Sequence, residues 1–162
     1  MNTNSHITLL HYNARSLFPK LDHLKVECEI LNPHIICITE SWLDKDIADN
    51  ELAISGFKLL RLDRNRHGGG VAVYINQVFP HNVIFLGNST FECIIVSILI
   101  GSCKFCICLF YRPPNSSIEV LDNLYSVLGN IDVSLFSHFI LIGDFNVDVM
   151  SPSQPLFSKL IV

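Results

Sequence analysis

The chain has 162 residues, of which 49% are hydrophobic and 16% are charged. This length suits one domain with a sizeable core, and the composition is on the apolar side for a soluble protein. The formal net charge of −4 argues against a general nucleic-acid binder, because phosphate affinity comes from Lys and Arg. No basic stretch leads into an apolar one at the amino terminus, so no signal peptide is predicted and the chain is expected to be intracellular.

Apolar periodicity predicts strands and one amphipathic helix in the first half of the chain. The predicted elements are, in order, a strand at 6–13, a helix at 20–31, a strand at 34–39, a polar loop at 44–51, and a pair of strands at 57–62 and 71–75.

Basic residues cluster in and before the loop that joins that strand pair: Lys58, Arg61, Arg64 and Arg66, followed by His67. This cluster is either a phosphate-facing loop or an ordinary solvated turn, and the sequence leaves both interpretations open. The three glycines at 68–70 permit positive φ and close backbone approach, although a plain turn explains them equally well.

The second half of the chain is again rich in strands. The predicted elements are a short strand at 82–86, strands at 91–100 and 104–111, a helix at 119–130 and a last strand at 138–142. Residues 91–110 are apolar enough to suggest a membrane span, but their uncharged part is too short to cross a bilayer. Gly101 and Ser102 divide this segment, which favours a hairpin of two core strands.

Six cysteines, at 28, 37, 93, 103, 106 and 108, raise the question of zinc or disulfides. Cys37, Cys93 and Cys106 lie inside apolar runs, where a free cysteine behaves as a small hydrophobic residue. The pair Cys103 and Cys106 has no second ligand pair downstream, so a zinc site is only weakly supported. We expect reduced thiols.

Polar side chains follow three of the apolar runs. Asn13 ends the first strand, Glu40 follows the second, and Asp144 with Asn146 follows the last. Residues at such strand ends commonly form ligand sites. Asp144 and Asn146 are two apart, so on extended backbone their side chains share a face. Carboxylate and carboxamide oxygens suit a hard cation such as Mg²⁺, which also keeps water and substrate phosphate.

Several short stretches around these positions resemble the endonuclease/exonuclease/phosphatase superfamily, and most closely the apurinic-type endonuclease domain of non-LTR retrotransposons. The stretches occur in the family's order at 13–17, 38–43, 61–64 with 68–74, 111–114 and 143–146. The resemblance implies an α+β fold in which two β-sheets form a sandwich flanked by helices.

The resemblance also implies roles for individual residues. Glu40 and Asn13 would hold Mg²⁺, with Mn²⁺ as an alternative, and Asp144 would orient or deprotonate the attacking water. Asn146 and Tyr111 would contact the scissile phosphate, and Asn13 would help to fix its geometry. Arg112 would contact phosphate or form a structural ion pair. His11 and Trp42 are expected to be structural.

The implied substrate is DNA, nicked in the nucleus, with no membrane association and no obligate protein partner evident. The family's domains continue to a Ser-Asp-His stretch that has no match after Asn146. Residues 1–150 are therefore expected to be the amino-terminal portion of such a domain, inactive alone, and 151–162 a linker-like tail or the start of the remainder. A phosphoinositide- or sphingolipid-type phosphoesterase and a non-catalytic remnant stay open as alternatives.

Overall fold

The computed structural model describes residues 7–148 and residue 150. Its eight strands are β1 (Leu9–Asn13), β2 (Ile35–Thr39), β3 (Phe57–Leu62), β4 (Val71–Asn76), β5 (His81–Asn88), β6 (Phe91–Ile100), β7 (Cys103–Tyr111) and β8 (His138–Asp144). Its two α-helices are α1 (Leu21–Leu31) and α2 (Glu119–Gly129), and short 3-10 helices span Phe18–Lys20 and Val133–Leu135.

The strands form two four-stranded mixed sheets. The first sheet has the order β1-β2-β4-β3, with β1 and β2 parallel and the other neighbours antiparallel. The second has the order β5-β6-β7-β8, and here β7 and β8 are parallel. Each parallel pair is connected by a crossover that contains a helix, α1 between β1 and β2 and α2 between β7 and β8.

The core has three layers of apolar contacts. Residues such as Ile35, Val73 and Val96 fill the space between the two sheets. Helix α1 covers the outer face of the first sheet, and α2 covers the outer face of the second through Leu121 and Leu124. Because each sheet is covered on both faces, β2 and β4 and most of β6 and β7 read as continuous apolar runs. The predicted two-sheet sandwich flanked by helices is confirmed.

The predicted elements match the observed ones closely, with differences at their ends. Helix α1 begins at Leu21, since Pro19 lies in a 3-10 turn that precedes it. Strand β5 is longer than predicted, and β8 continues through Asp144. The apolar segment 91–110 is a hairpin turning at Gly101 and Ser102, as predicted. Within the described residues no helix is long and apolar enough to cross a bilayer. The predicted tail at 151–162 lies outside the described residues.

The parallel pairs place four strand ends at one edge of the sandwich. Asn13 of β1 lies beside Thr39 of β2, and Tyr111 of β7 lies beside Asp144 of β8. Side chains from the two sheets meet at this edge, and they form the site described next.

Candidate active site

A cleft of about 640 Å³ opens where β1 and β8 end. Its walls are formed by His11, Asn13, Gly143, Asp144, Phe145, Asn146, Val147 and Asp148.

Asp144 is held in this cleft by two hydrogen bonds. The side-chain amide of Asn13 donates to Oδ2 across 2.8 Å, which joins the first sheet to the second. The backbone N–H of Asn146 donates to Oδ1 across 3.1 Å. Asn146 has a φ of +47°, and its side-chain amide donates to the carbonyl of Arg112 across 2.8 Å. The structure thus brings together three of the predicted site residues, Asn13, Asp144 and Asn146.

Glu40 follows β2 with an unusual backbone. Its φ is +55°, and Trp42 has a φ of +52°. Left-handed conformations are costly for side chains of this kind and concentrate at functional sites. The carbonyl of Glu40 accepts a hydrogen bond of 3.0 Å from the N–H of Ser16, and the Trp42 N–H donates to the Gly69 carbonyl across 2.9 Å. These bonds to the loop after β1 and to the glycine loop stabilise the turn that orients Glu40.

The Glu40 carboxylate is surrounded by donors. The Tyr111 hydroxyl donates to Oε1 and the Trp42 indole N–H donates to Oε2. The Gly69 N–H approaches Oε2 to 3.4 Å. Burial pushes the Glu40 pKa upward, but these hydrogen bonds and the charge of Arg64 outweigh it and lower the pKa below its ordinary value. Burial and the bond to Glu40 both raise the Tyr111 pKa. At neutral pH the site therefore holds an ionised glutamate and a neutral tyrosine.

Glu40 and Asp144 belong to one connected arrangement, although Glu40 lies beside the cleft rather than in its wall. Tyr111 contacts Glu40 through its hydroxyl and is the register neighbour of Asp144. Asn13 contacts Asp144 and is the register neighbour of Thr39, which directly precedes Glu40. The predicted residues at four strand ends thus lie together: Asn13, Tyr111 and Asp144 are held in strand ladders, and Glu40 follows β2 directly.

Arg112, which was expected to contact phosphate or to form a structural ion pair, is buried against backbone carbonyls. Its side chain is 2% exposed. The guanidinium donates to the carbonyls of Phe145, Asn146 and Ser116 at 3.4, 3.2 and 2.5 Å. These bonds hold the loop after β8 against the loop after β7. Burial lowers the Arg112 pKa. Arg112 is not itself a lining residue of the cleft, and its bonds to the carbonyls of Phe145 and Asn146 indicate that it supports the Asn146 loop.

Two residues expected to be structural lie at the site. His11 lines the cleft, with Nε2 3.4 Å from Thr39 Oγ1. Burial lowers its pKa, and the charge of Asp144 opposes that effect. Trp42 contacts the Glu40 carboxylate directly. This contact could have been expected from the residue type, because the indole N–H of a partly buried tryptophan commonly donates to an acceptor.

The basic cluster is largely paired with acidic residues. Arg61 contacts Asp49 at 2.9 Å, and Arg66 contacts Asp44. Arg64 Nη1 lies 2.9 Å from Oε1 of Glu92. Lys58 is exposed on β3. Arg61 lies on β3, Arg64 and Arg66 lie in the loop after it, and each of the three pairs with a carboxylate from another part of the chain.

Glu92 is a residue that the sequence reasoning passed over. It lies at the start of β6, is 2% exposed, and accepts a hydrogen bond from the Gly70 N–H as well as pairing with Arg64. In the sequence Glu92 is a carboxylate in an otherwise apolar run. Such a position indicates a buried acidic residue, and a buried charge requires partners.

The oxygen-rich donor set fits a hard divalent cation. Glu40 supplies an ionised carboxylate, and Asn13, whose amide N–H₂ faces Asp144, keeps its carbonyl oxygen available as a ligand. No three acidic, histidine or cysteine side chains of the described residues form a metal-binding group by themselves. One or two carboxylates with a carboxamide match Mg²⁺, which usually keeps water and phosphate oxygens in its coordination sphere.

Comparison with known proteins places this arrangement in a family. The sequence profile of the Endonuclease/Exonuclease/phosphatase family matches residues 2–160. The chain belongs to this family. Its enzymes generally depend on a divalent metal ion. No curated protein sequence matches the chain significantly.

Solved structures with the same fold include several enzymes of the Endonuclease/Exonuclease/phosphatase type. An AP endonuclease from Archaeoglobus fulgidus superposes with a TM-score of 0.70 at 16% identity, covering 96% of this chain and 70% of that one. The endonuclease domain of TRAS1, a telomere-specific non-LTR retrotransposon, gives 0.69 at 14% identity, covering 96% and 69%. The 3′ phosphatase NExo from Neisseria, bound to product DNA hairpin, gives 0.63 at 15% identity, covering 88% and 58%. These likenesses establish the shared fold.

Proposed function

We propose that the site formed by Glu40, Asn13, Asp144, Asn146 and Tyr111 cleaves phosphodiester bonds in DNA with the help of Mg²⁺ or Mn²⁺. The observation that carries this proposal is the connection of two carboxylates, Glu40 and Asp144, through Tyr111 and Asn13 at the edge of an open cleft. Glu40 and Asn13 are the residues that would hold the cation, which supplies charge neutralisation at the phosphate.

The other roles in the proposed reaction are assigned to side chains of the protein. Asp144, fixed by Asn13 and by the Asn146 N–H, has carboxylate oxygens positioned to orient an attacking water and accept its proton. Asn146 lines the same cleft and would direct an amide N–H at a phosphate oxygen. The Tyr111 hydroxyl donates to the Glu40 carboxylate and holds it in place, and the raised pKa of Tyr111 favours keeping its proton there during the reaction. Arg112 fixes the loop that carries Asn146.

The order of the motifs supports a retrotransposon-type endonuclease as the origin of the chain, acting in the nucleus on DNA. Slow turnover by the 162 residues alone is part of this proposal. None of their seven histidines occupies the position after Asn146 that the family resemblance assigns to proton transfer.

The proposal is tested in two steps. Trp42 is the single tryptophan of the chain and donates to Glu40, so its fluorescence reports on a cation bound there. We expect Mn²⁺ to quench this fluorescence in the wild type and to lose that effect in Glu40→Gln. Plasmid nicking, measured with protein in excess over DNA, should fall by roughly 100-fold or more in Glu40→Gln and in Asp144→Asn.

Glu27→Gln is the matched control, because Glu27 is an exposed carboxylate on α1, away from the cleft. It should change neither quenching nor nicking. Nicking that persists in both site variants would contradict the assignment of the residues. Release of phosphate from a phosphoinositide, with DNA left intact, would contradict the substrate class.

A further inference from the structure

Behind the site, Arg64 and the glycines of the 63–70 loop meet Glu92. Arg64 contacts more than its ion-pair partner. Its Nε donates to the Gly68 carbonyl across 3.0 Å, and its guanidinium carbon lies 5.9 Å from the centre of the Tyr111 ring. A cation over an aromatic face at this distance is attracted by the ring. Arg64 therefore links Glu92 to the tyrosine that contacts Glu40.

The glycine loop fits around this guanidinium. A methyl group at Gly69 would lie 2.3 Å from the guanidinium carbon of Arg64, and one at Gly68 would lie 2.9 Å from Nη2. Gly69 has a φ of +69° and Gly70 a φ of +82°. The same loop directs the N–H of Gly69 at Glu40 and the N–H of Gly70 at Glu92. The run of three glycines thus lets one backbone segment contact both carboxylates while it encloses Arg64.

We propose that Glu92 is a positioning residue, whose buried carboxylate acts through Arg64 and the Gly68–Gly70 loop to fix the side chains of Tyr111 and Glu40. Glu92 is 2% exposed and Arg64 is 26% exposed, so the pair lies mostly away from solvent. The proposal extends the function proposed above and depends on it for the role of Glu40. Under it, Arg64 is not a DNA-phosphate contact, although it belongs to the basic cluster of the sequence.

The first experiment compares Glu92→Gln, Arg64→Met and the double variant with Arg66→Met as the control. Arg66 lies in the same loop and also pairs with a carboxylate, Asp44, but it is 54% exposed and contacts neither Tyr111 nor the glycines. In metal-free protein we expect the Trp42 emission maximum and its quenching by acrylamide to change in Glu92→Gln and Arg64→Met. Arg66→Met should leave both unchanged. Because Glu92 acts through Arg64, the change in Trp42 emission and quenching in the double variant should be no larger than the change in the more severe single variant.

The second experiment separates positioning from DNA binding by single-turnover cleavage with protein in excess. We expect the maximal rate to fall about 10- to 100-fold in Arg64→Met and Glu92→Gln. The protein concentration that gives half of that rate should stay unchanged, because neither side chain contacts DNA. Arg64→Lys keeps the charge but lacks the planar group over Tyr111, so we expect an intermediate rate.

The outcomes distinguish this proposal from the proposed function. Persistent Mn²⁺ quenching in Glu40→Gln would overturn the proposed function, while the metal-free Trp42 signal would still decide the positioning role. Unchanged Trp42 emission and acrylamide quenching in both Arg64→Met and Glu92→Gln would overturn the positioning role. So would a raised half-saturation concentration with an unchanged maximal rate, which would identify Arg64 as a DNA contact. If Glu92→Gln does not fold, Arg64→Lys decides the question by the same readouts.

Discussion

The Tyr111 hydroxyl connects the Glu40 carboxylate to the second sheet. A carboxylate binds a cation in its ionised form, and Glu40 stays ionised at neutral pH because hydrogen-bond donors surround it and lower its pKa. Asp144 is also held by two donors, Asn13 and the Asn146 N–H. The Glu40 and Asp144 carboxylates are thus each held by a hydrogen bond to a side chain from the opposite sheet.

Tyr111→Phe should raise the Glu40 pKa, because it removes one of the hydrogen bonds that lower it and keeps the ring under Arg64. A carboxylate with a depressed pKa stabilises the fold above its unfolded pKa, and that stabilisation is lost as pH falls through the folded value. The variant should lose this contribution at a higher pH than the wild type. Mn²⁺ quenching of Trp42, followed from pH 7 downward, should likewise disappear at a higher pH. Superimposable pH profiles would show that the hydroxyl does not control this carboxylate.

The residues of the site were predictable from sequence to different degrees. Asn13, Glu40 and Asp144 could be found because polar side chains at the ends of apolar runs stand out, and the motif order added their roles. The partners of Arg112 were harder to predict, since an arginine beside a motif is as compatible with a bound phosphate as with backbone carbonyls of the protein. Glu92 could be noticed as a carboxylate in an apolar run, but its partners could not be assigned from the sequence. Its partners Arg64 and Gly70 come from another loop, and that contact exists only once the two sheets pack.

At the scale of elements, the site depends on the parallel pairing of β7 with β8. Phe110 lies beside Gly143 in that ladder, and Tyr111 lies beside Asp144. Gly143 has a φ of +150°, and a methyl group there would lie 1.7 Å from the carbonyl oxygen of Phe110. The glycine of the 143–146 motif is therefore required for close contact between two backbones, one residue before the carboxylate that it positions. Both strands were predicted from the sequence, but their relative direction was not. Antiparallel neighbours are commoner, and this pair is parallel because α2 lies in the crossover between the two strands.

Gly143→Ala should destabilise the protein by roughly 3 kcal/mol, because the added methyl group forces β7 and β8 apart. Gly129→Ala is the matched control. Gly129 is the last residue of α2, and apart from its chain neighbours and the backbone of its own helix nothing lies within 4 Å of where its methyl group would be. There the same change should be neutral or stabilise by up to about 1 kcal/mol, since alanine reduces the freedom of the unfolded chain. Urea unfolding monitored by circular dichroism gives both values. Equal effects of the two substitutions would show that the ladder tolerates a side chain at Gly143.

At the scale of the whole molecule, two sheets covered on both faces leave little room for charge, and Glu92 is the acidic residue that is buried among the described residues. The layer order could be predicted from the family resemblance, whereas composition alone indicated only an apolar chain with many strands. Which charged residues would be buried depends on how the glycine loop folds over the start of β6. Burial raises the Glu92 pKa to about 7, with opposing contributions from the Gly70 N–H and Arg64.

This shift makes the stability of the whole fold depend on pH. Between its ordinary pKa of 4.5 and about 7, Glu92 is protonated in the folded chain and ionised in the unfolded chain. Unfolding then releases a proton, so the contribution of Glu92 is full below pH 4.5 and is lost as pH rises toward 7. Over that window the loss should amount to about 3 kcal/mol, because each pKa unit corresponds to about 1.4 kcal/mol.

Glu92→Gln removes the titrating group and keeps most of its shape, so the stability difference between wild type and variant isolates this contribution. We expect urea unfolding at a series of pH values to show the wild type losing stability relative to Glu92→Gln from pH 5 to pH 7. Arg66→Met, which alters an exposed ion pair, should follow the wild-type profile in this range. A difference that stays constant with pH would mean that Glu92 is ionised in the folded protein throughout. In that case the charge of Arg64 would outweigh burial, and the pair would be a full ion pair beneath the site.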